Sequence, residues 1–138
     1  MNKQHIVTNI VDYIEEHLDE DLSLDSISDA LGYSKFYMSR CFTDEAGLSI
    51  YKYIQGRRLT IAAESLIEQE KTILEIAYEA HYNSPQAFTL AFHQLYGCSP
   101  QTYRKNGIFY PKQERLLSKS ISLFASHKND LLGGRMAA

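Results

Sequence analysis

An internal repeat constrains the fold of this chain more than any other feature. Leu24, Ile27 and Tyr33 recur as Ile73, Ile76 and Tyr82 at an offset of 49, and Ser34, Phe42, Gly47, Ser49 and Tyr53 recur as Ser84, Phe92, Gly97, Ser99 and Tyr103 at an offset of 50. One residue has therefore been added in the turn of the second copy. A period of this length is a whole helical subdomain, and a solenoid would need at least three copies. The expected organisation is a duplication of one small helical unit.

Each copy reads as two short helices joined by a tight turn. In the first, Leu24, Ile27, Ala30 and Leu31 fall on one helical face, with Ser23 placed to cap the start and Gly32 to stop the helix at positive φ. Ser34 then caps a second helix from Lys35 to about Ala46 and Gly47, on which Met38, Cys41 and Phe42 share one face while Lys35, Phe36, Ser39 and Arg40 lie on or beside the other. In the second copy Thr72 caps a helix carrying Ile73, Ile76, Ala77 and Ala80, residues 81–84 turn, and Pro85 takes the first position of a helix whose apolar face is Ala87, Phe88, Ala91, Phe92 and Leu95. Proline suits that position because the first helical N–H has no partner in any case. Both copies have the form of a helix-turn-helix.

Around them, Ile6, Ile10, Val11, Ile14 and Leu18 predict a supporting amphipathic helix over residues 5–18, with Asp12, Glu15, Glu16 and Asp19 outside. Ser49 is placed to cap a connector helix whose expected buried positions are Ile50, Tyr53, Ile54, Ile61, Ala62, Leu66 and Ile67. About 18 residues of helix span roughly 27 Å. Gly56 within it costs about 1 kcal/mol relative to alanine, which points to a close packing contact or a slight bend. Ser99 and Pro100 should start a last short helix ending near Tyr103 and Arg104, and Lys105 to Gly107 reads as a boundary. Leu116, Leu117, Ile121 and Phe124 outline one further amphipathic helix in a basic tail carrying Lys112, Arg115, Lys119, Lys128 and Arg135. The fold class is thus all-α, two tandem helix-turn-helix subdomains (about 5–48 and 72–105) joined by a connector helix (about 50–68) within residues 1–106, followed by a 107–138 tail.

Several classes of function fall away. No apolar run approaches the roughly 18 residues of a membrane span and the N-terminus lacks a signal-peptide core, so a cytoplasmic protein is expected. Cys41 and Cys98 are too few for a disulfide framework and read as core residues; His5, His17, His81, His93 and His127 are dispersed, so neither a metal nor another cofactor is expected. No nucleophile motif, glycine-rich phosphate loop or carboxylate pair stands out, which argues against an enzyme. The net charge of −3 on its face opposes a nucleic-acid partner, because lysine and arginine supply much of that affinity. Its distribution weakens the objection: residues 1–30 hold eight acids and one base, whereas residues 31–60 hold Lys35, Arg40, Lys52, Arg57 and Arg58 against Asp44 and Glu45.

From about Ile10 to Arg104 the sequence resembles the DNA-binding domain of the AraC/XylS family of bacterial transcription regulators. The resemblance lies in LSLDSISDALGYSKFYMSRCF, in the connector GLSIYKYIQGRRLTIAAESL and in ILEIAYEAHYNSPQAFTLAFHQLYGCSPQTYR with its Gly97, Pro100, Tyr103, Arg104 ending. It implies that each second helix enters a major groove of double-stranded promoter DNA, with the connector setting the two about one DNA turn, roughly 34 Å, apart. It implies base contacts from Phe36, Tyr37, Ser39 and Arg40 in the first unit and from Gln86 and Thr89 in the second. Arg40 is the leading candidate, because a guanidinium can bond both O6 and N7 of guanine. Phosphates would be met at the helix starts of Ser34 and Ser84 and by Lys35, Arg57 and Arg58. By the same resemblance the protein is a regulator, and an activator, with RNA polymerase as a partner; it can bind DNA as a monomer, and the oligomeric state is left open.

The second unit departs from the family pattern twice. Leu90 stands where an arginine faces the groove, and His81 stands where glycine closes the turn; histidine tolerates positive φ better than most residues. Leu90 and the acidic balance keep a second reading in view, a helical protein-interaction module that has lost DNA readout. Ligand-sensing domains also occur in the family, but there is no room for one before His5, and the 28 residues after Tyr110 are too few. They are expected to form a docking helix or to begin an effector domain that continues past Ala138.

Overall fold

A computed structural model describes residues 2–117, among which seven α-helices account for the regular structure. The helices fall into two units, one built from residues 2–17, Leu22–Lys52 and 115–117, the other from Leu18–Asp21 and Tyr53–Glu114. The candidate helix running from Leu116 to Phe124 lies for the most part outside the described residues.

In the first unit α1 (Lys3–Glu16) packs on α3 (Lys35–Ala46) and on α2 (Leu24–Leu31). Its buried stripe is Ile6, Val7, Ile10, Val11 and Ile14, against Ile27 of α2 and Met38, Cys41, Phe42 and Ala46 of α3. Only Ile27 of the four apolar positions expected for α2 is buried; Leu24 is 40% exposed. A helix of eight residues has room for about two turns of contact, so one fully buried residue anchors it. The Ser23 cap is a reciprocal capping box with Ser26, Gly32 ends the helix at φ 79°, and Ser34 caps α3 by accepting from the Tyr37 amide. Tyr33 fastens the turn, its hydroxyl accepting from Asn9 of α1 at 3.0 Å and its carbonyl accepting from Ser28.

The second unit holds most of α4 (Ile50–Glu68), with α5 (Ile73–Glu79), α6 (Pro85–Tyr96) and α7 (Pro100–Asn106). Its core is Leu59, Ala62, Ala63, Leu66, Ile76, Ala77, Ala80, Phe88, Phe92, Tyr96 and Tyr103. Aromatic rings dominate it: Phe92 stacks on Tyr96 at 4.7 Å, and Tyr103 meets both rings edge-on. Thr72 and Glu75 form the capping box that starts α5, and the Thr72 amide and hydroxyl hold the Glu75 carboxyl below the usual carboxylate range. At the end of α5 His81 adopts φ 69°, the left-handed conformation supplied by Gly32 in the first unit. Ile61, expected inside, is 41% exposed, whereas Leu59 and Ala63 are buried. The other expected positions Ile50, Tyr53, Ile54, Ala62 and Leu66 are buried, so the covered face is the expected one widened to Leu59 and Ala63, and Ile61 instead rims a small pocket with Leu18, Arg58 and Ile76.

Two arginines close carbonyl groups ahead of α2 and α5, in the preceding loops and, for Leu66, in the last turn of α4. Arg58 donates to the carbonyls of Leu18 and Glu20 at 3.1 and 2.6 Å. Arg104 donates to those of Leu66, Gln69 and Lys71 at 2.8, 3.3 and 2.7 Å. Burial pushes the Arg58 guanidinium below the usual arginine range, with the charge of Asp21 opposing it.

Past α7, which runs to Asn106 rather than ending near Arg104, the chain straps back over the second unit. Phe109 packs on the core. The Tyr110 carbonyl accepts from the Tyr96 hydroxyl at 3.1 Å, and the Gln113 amide donates at 3.0 Å to the hydroxyl of Thr60, the buried polar side chain of α4. Arg57 donates to the Gln113 carbonyl at 2.9 Å. The strap crosses α4 at Gly56, where an added Cβ would stand 2.9 Å from Gln113 Cβ. Gly56 thus marks a close packing contact, one of the two roles its position suggested.

These contacts predict opposite effects at two glycine-related positions. Gly56→Ala gains about 1 kcal/mol of helix propensity but overpacks the strap at a typical cost of roughly 1–3 kcal/mol, so a net loss is expected in denaturant unfolding. In a Gln113→Gly background the same substitution should become neutral or stabilising. His81→Gly should raise stability by about 0.5–1 kcal/mol, because the left-handed conformation penalises a side chain, whereas His81→Ala should not. A loss on His81→Gly would instead show that the contact of His81 with Asp21, 3.6 Å away, outweighs backbone strain.

Candidate nucleic-acid interface

A helix presents positions i, i+3, i+4 and i+7 along one side. On α3 the side turned from the core carries Phe36, Ser39, Arg40 and Thr43; on α6 the equivalent positions, each 50 residues later, are Gln86, Thr89, Leu90 and His93. Phe36 is 85% exposed and Leu90 62%, and Gln86, Arg40, Thr43 and His93 are exposed, while Ser39 and Thr89 lie half-buried between them. Gln86, Thr89, Leu90 and His93 line a single shallow depression together with Pro85. The duplication therefore preserves an outward stripe as well as a core. Thr43 and His93 are the members that the sequence reading did not single out, although one more step of the same spacing reaches them.

Tyr37 sits beside the first stripe, 44% exposed, and the Cys41 thiol one turn on pushes its pKa up. Each helix starts at a serine whose hydroxyl accepts from the third helical amide, Ser34 from Tyr37 at 3.2 Å and Ser84 from Ala87 at 3.1 Å. That leaves the amides of the first two helical residues without intrahelical partners, the arrangement that suits an anion. In α6 the first of these is Pro85, which has no N–H, so α3 offers one more donor than α6.

The cations divide by what they already hold. Among the described residues Arg40 has no hydrogen-bond or ion-pair partner. Lys35 pairs with Asp25 of α2 at 2.8 Å, both side chains at least half-exposed; such a pair contributes little in water and can be exchanged for a phosphate. Arg57 and Arg58 donate to carbonyls as described above. The structure thus brings Phe36, Ser39 and Arg40 together on one face and Gln86 and Thr89 on another, and it places Arg57 and Arg58 in structural contacts that their positions on a helix surface did not reveal.

Among the described residues no group of three or more His, Cys, Asp or Glu is arranged to hold a metal ion, and no helix is long and apolar enough to cross a membrane. Cys41 is buried in the first unit and Cys98 half-buried against the second core.

Comparison with known proteins places this geometry in a family. A helix-turn-helix domain family model matches residues 27–106. The transposon Tn10 TetD protein of Escherichia coli is 38% identical over 104 residues, 75% of each chain. The regulatory protein SoxS of Escherichia coli K12 is 35% identical over 104 residues, 75% of this chain and 97% of its own. Among solved structures, the C-terminal domain of AraT, a response regulator from Geobacillus stearothermophilus, is 32% identical with a TM-score of 0.71, covering 80% of this chain and 93% of that one. With the family model spanning more than half of the sequence and a relative 35% identical along nearly its whole length, the chain belongs to the AraC/XylS family of helix-turn-helix transcription regulators.

Proposed function

We propose that the protein reads duplex DNA by placing the outward stripes of α3 and α6 in the major groove, and that it regulates transcription by doing so. One observation carries this reading: two helices of the same chain expose side chains at the same four positions, each directly after a capped and open first turn. Side chains at the start of a helix reach base edges while the amides beside them meet the backbone. Arg40, exposed and uncommitted, bonds guanine through O6 and N7, and Phe36 covers thymine methyls. Ser39 and Tyr37 border these contacts. Gln86 and Thr89 serve the second helix, with Leu90 restricted to apolar contact.

Phosphates are met by the first-turn amides after Ser34 and Ser84 and by Lys35 on release from Asp25. A guanidinium carries five N–H donors, so Arg57 and Arg58 add their charge to this surface while keeping their carbonyl partners. Because one chain supplies two reading helices, a monomer has what a dimeric helix-turn-helix protein obtains from symmetry. Family membership supports activation through RNA polymerase as the outcome of binding. Membership of a helix-turn-helix family, over residues 27–106, favours this reading over a protein-interaction module without DNA readout.

The reading is tested by selecting bound duplexes from a random pool with the full chain and with Arg40→Ala. The substitution should weaken binding by about 1–3 kcal/mol and abolish preference at one or two base pairs in one part of the site. Equal affinity and unchanged preference in the variant would remove Arg40 from the interface, and failure of the native chain to enrich any duplex at low salt would overturn the reading itself.

A further inference from the structure

Building on the DNA-reading function above, we infer that His93 is the cationic phosphate contact of the second reading helix, and that it acts as one only after taking up a proton. The first stripe carries a permanent cation, Arg40, at its third position, and the second carries Leu90 there. Within the second stripe charge can arise only at the fourth position, His93, where the first has the neutral Thr43. Histidine is the side chain whose charge ordinarily changes between pH 5 and 8.

Geometry favours a phosphate over a base for this contact. His93 lies seven residues beyond Gln86, or about 10 Å along the helix axis at 1.5 Å per residue. That approaches the roughly 12 Å width of the major groove. A helix whose first turn meets base edges at Gln86 therefore carries His93 toward the groove wall, where the phosphates are.

The surroundings leave the imidazole available. It is exposed and has no hydrogen-bond or ion-pair partner among the described residues. Its neighbours along the stripe, Gln86, Thr89 and Leu90, carry no charge. On the elements packed against α6, Glu75 of α5 is bound in its capping box and Glu79 pairs with Lys71 at 2.8 Å. Arg104 of α7 holds three carbonyls and Lys105 is exposed in the last turn of that helix. Lys112 of the strap lies over the Tyr110 ring. No carboxylate occupies the stripe, so the charge that arises on His93 is left to an anion from outside.

The experiment compares salt dependence at two pH values for native protein, His93→Gln and His93→Lys, by fluorescence anisotropy on a duplex enriched by the native chain. Each phosphate neutralised steepens the fall of log affinity with log salt by about 0.9. The native slope should therefore steepen by about 0.9 from pH 8 to pH 6, with tighter binding at pH 6. His93→Gln should keep the shallow slope at both pH values and His93→Lys the steep one. If His93→Gln retains the native pH dependence, or if His93→Lys is no steeper than native at pH 8, the assignment is overturned while DNA reading stands. Absence of duplex binding by native protein at either pH would overturn both.

Discussion

What the outward stripes can meet depends on how the first turns of α3 and α6 are closed. A helix leaves its first amides without internal partners, and a bulky residue before it would bury them or block access. Ser34 and Ser84 satisfy one amide each with a short hydroxyl and leave the outward side of the turn open. The left-handed residues Gly32 and His81 are part of the same constraint, because each reverses the chain within the few residues available before the serine. That His81 adopts this conformation at all shows that the packed turn dictates the backbone and the side chain conforms to it. Tyr33 in the first unit and Tyr82, packed at 5.7 Å against Phe88, in the second lie just past these residues and anchor the turns.

The opposite problem, carbonyl groups left open in a loop, has the same chemical solution twice but from positions that the duplication does not relate. Arg58 lies in α4 and Arg104 in α7, and the 50-residue offset pairs Arg104 with Ile54 rather than with Arg58. Each nevertheless spreads its guanidinium across carbonyls just before a helix-turn-helix. Hydrogen bonds from a charged donor contribute about 1.5–3 kcal/mol each in favourable settings, and one long side chain serving two or three carbonyls loses rotamer freedom only once. Use of arginine rather than lysine follows from the fixed fork of donors.

Features set by neighbours in sequence were legible in sequence. Ser23, Ser34, Ser49 and Thr72 cap where their spacing placed them, Pro85 opens α6, and Gly32 and Gly47 close their helices at positive φ. What distant packing decides was not. Ile61 and Leu59 are both apolar residues on one helix, and only the elements laid against α4 determine which is covered. The strap was unreadable because residues 107–117 have no periodicity, and its hold on α4 comes through single contacts such as that of Gln113 with Thr60. Gly56 announced a close approach without naming what approaches. The outward stripes were legible through Arg40 and Gln86, but their last members, Thr43 and His93, resemble ordinary surface residues until each helix is seen to expose the same four positions.

The fold is duplicated more faithfully than the chemistry. Where the first stripe joins an aromatic ring to a permanent cation, the second joins an amide, a hydroxyl and an exposed leucine to an imidazole. The difference bears on how a chain of net charge −3 can hold a polyanion. Counterion release scales with the number of phosphates neutralised; Arg40 is the permanent cation of the two stripes, and Lys35, Arg57 and Arg58 beside them already hold partners that they must exchange or share. In the proposed reading this limit keeps affinity for random duplex low and leaves discrimination between sites to fit at base edges, where Phe36 and Leu90 would offer shape and Arg40 and Gln86 paired hydrogen bonds. A net acidic chain is therefore compatible with DNA reading, and stripes that carry little permanent charge favour selectivity over general adhesion to DNA.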